Sequence, residues 1–125
     1  MSNKKLLLVE DDEYVQLTLF KILLNTDLFQ IDLVYDGALV LQEVVGDNYD
    51  LILMDVNLPN LDGIHITKLI RDFPFKNIKK MPIIGITANA SQESLDQCAK
   101  AGMNKVLVKP FEKEELLNTV FKILK

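Results

Sequence analysis

Four places along the chain set chemically capable side chains directly behind an apolar run. Leu6–Val9 leads into Glu10, Asp11, Asp12 and Glu13, Leu51–Met54 into Asp55, Ile83–Ile86 into Thr87, and Val106–Val108 into Lys109. Two carboxylates ~4 Å apart repel by about 4 kcal/mol at an effective dielectric of 20. Gathered acids therefore need either water or a positive partner among them. Clustered carboxylates without cysteine or paired histidines suit a hard cation, Mg²⁺ above all, which takes oxygen ligands and keeps several waters. A lysine beside such a cation neutralises a transferring phosphoryl group. A nearby hydroxyl can donate to a phosphoryl oxygen, and a carboxylate can itself attack and become an acyl phosphate. Asp55, at the end of the central run, is the best candidate nucleophile. Asp12 and Glu13 read as an N-cap and a first-turn acid, where the helix dipole contributes ~0.3–1 kcal/mol.

The apolar runs that precede these residues are short and β-branched, as are strands of a parallel sheet covered on both faces. A fifth run, Ile31–Tyr35, is interrupted by Asp32. Between the runs the spacing turns helical. Ile66, Leu69, Ile70 and Phe73 fall at i, i+3, i+4 and i+7, as do Leu117, Val120, Phe121 and Leu124. Leu95, Cys98 and Ala99 repeat the pattern, with Ser91 as N-cap and Gly102 just past the helix end. Residues 12–25 and 38–46 are apolar on one broad face, and "NLPNLDG" at 57–63 reads as a loop. Five strands alternating with five helices give a doubly wound α/β fold with one five-stranded parallel sheet. The expected order is 2-1-3-4-5, flavodoxin-like, with two helices on one face and three on the other. Ligands of such sheets bind beyond the carboxyl ends of the strands, where Glu10, Asp11, Asp55, Thr87 and Lys109 would gather.

Size and composition narrow the function classes. The 125 residues, 49% apolar and 26% charged, match one domain spanning 1–125, large enough to hold a core without staples. A single cysteine, Cys98, excludes an intrachain disulfide and a cysteine metal cluster, and fits a cytoplasmic setting. The net charge of −4, with no basic stripe, argues against nucleic-acid binding. No apolar run approaches the ~20 residues of a membrane helix, and the four residues after Lys5 are too few for a signal peptide.

"LLLVEDDE", "LILMDVNLPNLDG", "IIGITANA" and "VLVKPF" together resemble the four signature segments of response regulator receiver domains, in order and with suitable spacing over essentially the whole chain. The resemblance implies a signalling module of a two-component system or phosphorelay, not an enzyme with a separate substrate. It implies Mg²⁺-dependent transfer of a phosphoryl group from a phosphohistidine on a sensor histidine kinase or phosphotransfer protein to Asp55, with Mn²⁺ able to stand in. Glu10 and Asp11 would serve the metal together with Asp55 and the backbone carbonyl of Asn57. Thr87 and Lys109 would stabilise the phosphoryl group; the Lys109-Pro110 bond is often cis in such domains, and the sequence leaves its isomer open. Asn57 and Asn89 would tune dephosphorylation. A downstream partner would meet helix 91–101, strand 106–108 and helix 112–124. "TANA" followed by "CAKAGMNKVLVKPF" is similar to receivers at the ends of hybrid sensor kinases, whose cytoplasmic portion this chain would be, unless it is a stand-alone regulator.

One position departs from that family. Where it often carries an aromatic ring three residues before the lysine, this chain has Val106, so the signal should pass chiefly through Thr87 and the loop after the fourth strand. Competing readings fit less well. A haloacid-dehalogenase-type aspartyl-phosphate hydrolase places its nucleophile on the first strand with a second aspartate two residues on; here Asn57 follows Asp55. A flavin binder needs a phosphate loop where this chain has acids. An interaction-only pseudoreceiver would have lost an acid or the lysine. His65 reads as a surface or packing residue, Cys98 as core, and Tyr14, Phe20, Phe73 and Phe121 as packing residues.

Overall fold

A computed structural model describes residues 3–125. The strands are β1 (Lys4–Val9), β2 (Phe29–Val34), β3 (Leu51–Asp55), β4 (Ile83–Thr87) and β5 (Lys105–Val108). The helices are α1 (Glu13–Leu24), α2 (Val40–Gly46), α3 (Gly63–Arg71), α4 (Lys76–Lys79), α5 (Gln92–Ala101) and α6 (Lys113–Leu124), with a 3₁₀ turn at Gly37–Leu39. All pairings are parallel and the order is β2-β1-β3-β4-β5. The expected doubly wound sheet is therefore the fold.

Every residue of β3 and β4 is buried, and Leu6 to Val9 of β1 are inaccessible to solvent. Such runs fold as strands because a parallel sheet hides both sets of alternating side chains. Leu6, Leu8, Leu51, Leu53, Ile84 and Ile86 pack on one face with Leu19 and Leu23 of α1 and Leu116 and Val120 of α6. Leu7, Val9, Ile52, Met54 and Ile83 pack on the other with α2, α3 and α5. Each fully buried aliphatic side chain contributes about 1.5–3 kcal/mol relative to exposure.

The boundaries differ in instructive ways. β2 runs from Phe29 to Val34 rather than 31–35, and Tyr35 is half exposed beyond it. The fourth helical segment carries no long periodicity: α4 is one turn, anchored by buried Ile78, making six helices among the described residues instead of five. In α5 the buried stripe is Cys98 and Ala101, and Ala99 faces solvent. Ser91 caps its start through a bond from Ser94 N–H, and Gly102 ends it at φ +110°, a left-handed conformation that glycine adopts without strain. Leu69 is exposed on α3, whose inner face is completed by Gly63 and Thr67. Tyr14 is 80% exposed and is not a packing residue, because the buried stripe of α1 is Gln16, Leu19 and Leu23. At ~100° per residue, Tyr14 stands far around the helix from that stripe.

Candidate functional site at the carboxyl ends of the strands

Strand register brings the polar residues together. Val9 pairs with Met54, Asp55 with Ile86, Ile86 with Leu107 and Thr87 with Val108. Glu10, Asp55 and Lys109 thus follow three apolar strand ends at nearly one level. Alternation along the strands puts Asp55 on the face of Leu53 and Thr87 on the opposite face, that of Ile83. Backbone bonds hold this edge. Glu10 N–H donates to Val34 O at 3.1 Å, Val56 N–H to Ile86 O at 2.8 Å and Lys109 N–H to Thr87 O at 2.8 Å. The start of α3 lies close beneath: Gly63 N–H donates to Val56 O, and a Cβ on Gly63 would stand 2.5 Å from Asp55 O. Only glycine permits that approach. The Lys109-Pro110 bond is cis.

Glu10 and Asp55 are almost wholly buried, at 1% and 4% exposure, while Asp11 faces solvent. One carboxylate oxygen from each of Glu10, Asp11 and Asp55 lies within 4.8 Å of the others. Lys109 Nζ is 3.4 Å from Glu10 Oε2 and 3.8 Å from Asp55 Oδ2, so it serves both acids and stands closer to Glu10. The other oxygens are also engaged. Asp55 Oδ1 accepts from Asn57 N–H at 3.0 Å, and Glu10 Oε1 from Asp12 N–H at 3.3 Å. Asp12 caps α1 by accepting from Val15 N–H at 3.0 Å.

Two buried carboxylates share one ammonium, and the crowding shows in Glu10. Burial first, then its hydrogen bond and charge repulsion with Asp55, push its carboxyl up to about 7, against the opposing pull of Lys109. An all-oxygen set of this kind, short of positive charge, fits a hard divalent cation with room for waters.

The remaining expected residues lie around this core. Thr87 is fully buried, and its Oγ1 accepts from Asn89 N–H at 3.0 Å, which leaves its own proton free to donate. Asn89 Oδ1 accepts from Ser91 N–H at 2.9 Å. Asn57 and Asn89 are exposed and line an open groove of about 380 Å³ between the β3–α3 loop and the start of α5. Val106 is half-buried, pairs with Gly85 and packs on the face away from Asp55. His65 is exposed, and Cys98 is buried with its thiol pushed up by that burial.

Sequence reasoning missed Gln16. It is 1% exposed, and its Nε2 donates to Val34 O at 3.0 Å and to Leu8 O at 3.4 Å. The available signal was an amide three residues before Leu19 on an apolar stripe.

Comparison with known proteins agrees with this geometry. The family model described as "Response regulator receiver domain" matches residues 6–121. The chain is 37% identical over 119 residues to the CAI-1 autoinducer sensor kinase/phosphatase CqsS of Vibrio cholerae, covering 94% of this chain and 17% of that protein. It is 39% identical over 120 residues to the transcription factor prr1 of Schizosaccharomyces pombe, covering 96% and 21%. The chain therefore spans only a small part of these relatives. Among solved structures, the receiver domain of sensor histidine kinase PA1611 from Pseudomonas aeruginosa, with magnesium coordinated in its active-site cleft, superposes with a TM-score of 0.88 at 36% identity, covering 98% of both chains. The chemotaxis response regulator CheY4 of Vibrio cholerae superposes at 0.89 with 28% identity, covering 98% of this chain and 100% of that one. The convergent acids and lysine, the sheet order and the family match together make this chain a member of the response regulator receiver domain family, a module of phosphorelay signalling.

Proposed function

We propose that residues 1–125 act as one receiver unit in which Asp55 accepts a phosphoryl group from a phosphohistidine on a sensor histidine kinase or phosphotransfer protein. The observation that carries this reading is the cradle itself: Glu10, Asp11 and Asp55 within 4.8 Å, with Lys109 at 3.4 and 3.8 Å from two of them. A carboxylate oxygen of Asp55 attacks phosphorus, the P–N bond of the donor breaks, and the imidazole leaves with the bonding electrons and takes up a proton. Lys109 turns from the acids to the phosphoryl oxygens, and the Thr87 hydroxyl donates to another. A Mg²⁺ ion held by Glu10, Asp11, Asp55 and the Asn57 carbonyl would supply charge neutralisation on those oxygens. Mn²⁺ shares the preference for oxygen ligands and is the second choice.

The module catalyses its own phosphorylation and its own hydrolytic reset. The Asn57 side chain lines the groove two residues after Asp55, so it is the better placed of the two asparagines to influence water there. Asn89 is partly committed to the loop through Ser91. That loop supports a signalling route suited to Val106. A chain of bonds runs from Thr87 Oγ1 to Asn89 N–H, from Asn89 Oδ1 to Ser91 N–H, and from Ser91 Oγ to Ser94 N–H in the first turn of α5. A phosphoryl group that draws Thr87 inward pulls on the cap of α5 without an aromatic swing. The downstream partner would read α5, β5 and α6. No described helix is long and apolar enough to cross a membrane.

Incubation with Mg²⁺ and a small phosphodonor, followed by intact mass, tests the reading. One phosphoryl group should be gained, released by base and absent in Asp55→Asn. No gain with donor and Mg²⁺ in excess would refute it.

A further inference from the structure

Gln16 heads the buried stripe of α1, where an aliphatic residue would pack with no polar group to satisfy. Its amide is not idle. Nε2 donates to Val34 O at 3.0 Å, the same carbonyl that receives Glu10 N–H at 3.1 Å, and makes a longer 3.4 Å contact to Leu8 O. Its backbone N–H closes the first turn of α1 on Asp12 O at 2.9 Å. The short loop Glu10–Asp11–Asp12 therefore lies between two attachments of one residue. The side chain fixes the carboxyl ends of β1 and β2, from which Glu10 departs, and the backbone fixes Asp12, where α1 begins. Glu10 and Asp11 cannot spread apart without disturbing one or the other.

We propose that Gln16 is a positioning residue for the cation site, holding the two acids of the β1–α1 loop at the spacing a divalent ion requires. This rests on the reading of Glu10, Asp11 and Asp55 as cation ligands. Residues that orient ligands from behind typically change metal affinity 10–100-fold. Gln16 acts through backbone rather than on a ligand side chain, so the lower end of that range, about tenfold, is the expected effect.

The test is a Mg²⁺ titration of wild-type protein, Gln16→Met and Thr67→Val by calorimetry. Methionine keeps length and flexibility but cannot donate. Thr67 is an equally buried polar residue whose Oγ1 bonds Gly63 O within its own helix. Gln16→Met should raise the Mg²⁺ dissociation constant about tenfold. Thr67→Val should lower the thermal midpoint and leave Mg²⁺ affinity unchanged. Equal affinities for Gln16→Met and wild type overturn the proposal. No Mg²⁺ binding by wild type overturns the cation reading beneath it. If Gln16→Met does not fold, the Gln16 side-chain amide resonances of wild-type protein serve instead: they should shift on adding Mg²⁺, and resonances that stay fixed overturn the proposal.

Discussion

The two ends of the sheet each carry a cluster of acids around one lysine, and the two clusters behave oppositely. At the carboxyl end, Lys109 faces Glu10 and Asp55, whose side chains are 2% and 5% exposed. At the amino end, Lys5 pairs with Asp32 and Asp47, whose side chains are 42% and 45% exposed. Lys5 also lies over the Tyr49 ring at 5.4 Å, and Tyr49 donates to Asp32 at 2.6 Å. There the charges satisfy one another. The hydrogen bond from Lys5 holds the Asp47 carboxyl below its usual range, and the same bond raises the Lys5 ammonium. At the carboxyl end burial dominates, and Glu10 is pushed up instead. Similar residue types thus make a solvated surface network in one place and a buried, crowded acid cluster in the other. Solvent access decides which.

The two ends should differ most in phosphorylation. Asp55→Asn should abolish phosphoryl gain, while Asp47→Asn should leave it at the wild-type level by intact mass. Removing each lysine comes next. Lys109→Met should slow phosphorylation by on the order of 10²-fold, the scale for losing one group that stabilises developing charge. Lys5→Met should leave the rate unchanged, and its small stability effect should shrink further in high salt, as expected for a solvated ion pair.

The smaller effects concern pH and have opposite signs. Glu10 has a folded value raised from 4.5 to about 7. Its contribution to stability is fully present below the lower value and is lost as pH rises through the upper one, because between the two the folded state holds a proton that the unfolded state has released. Asp47 is lowered from 3.8, so its contribution is present above that value and lost as pH falls through its folded value. Urea midpoints measured against pH without divalent ions should show both slopes. Glu10→Gln should remove the neutral one alone, and Asp47→Asn the acidic one alone.

How much of this could be read from sequence depended on burial. Strands β3 and β4 were plain because both faces are covered, so "LILMD" and "IIGIT" carry no alternation to confuse them. Edge strand β2 was blurred because Gln30 is exposed and Asp32 faces Lys5 and Tyr49. The helix α4 left no trace because one turn offers a single buried residue, Ile78. The convergence of Glu10, Asp55, Thr87 and Lys109 was legible because each comes directly behind an apolar run. Gln16 was not, because its partners are backbone carbonyls, Leu8 O and Val34 O, which no side-chain pattern marks.

The carboxyl-end cluster should take up an added cation, and the amino-end cluster should not. A Mg²⁺ titration followed by amide NMR tests it most directly. Saturable shifts should appear at Glu10, Asp11, Asp55 and Asn57, with Asp32, Asp47 and Tyr49 unmoved. Equal shifts at both ends, or none at the carboxyl end, would contradict the account.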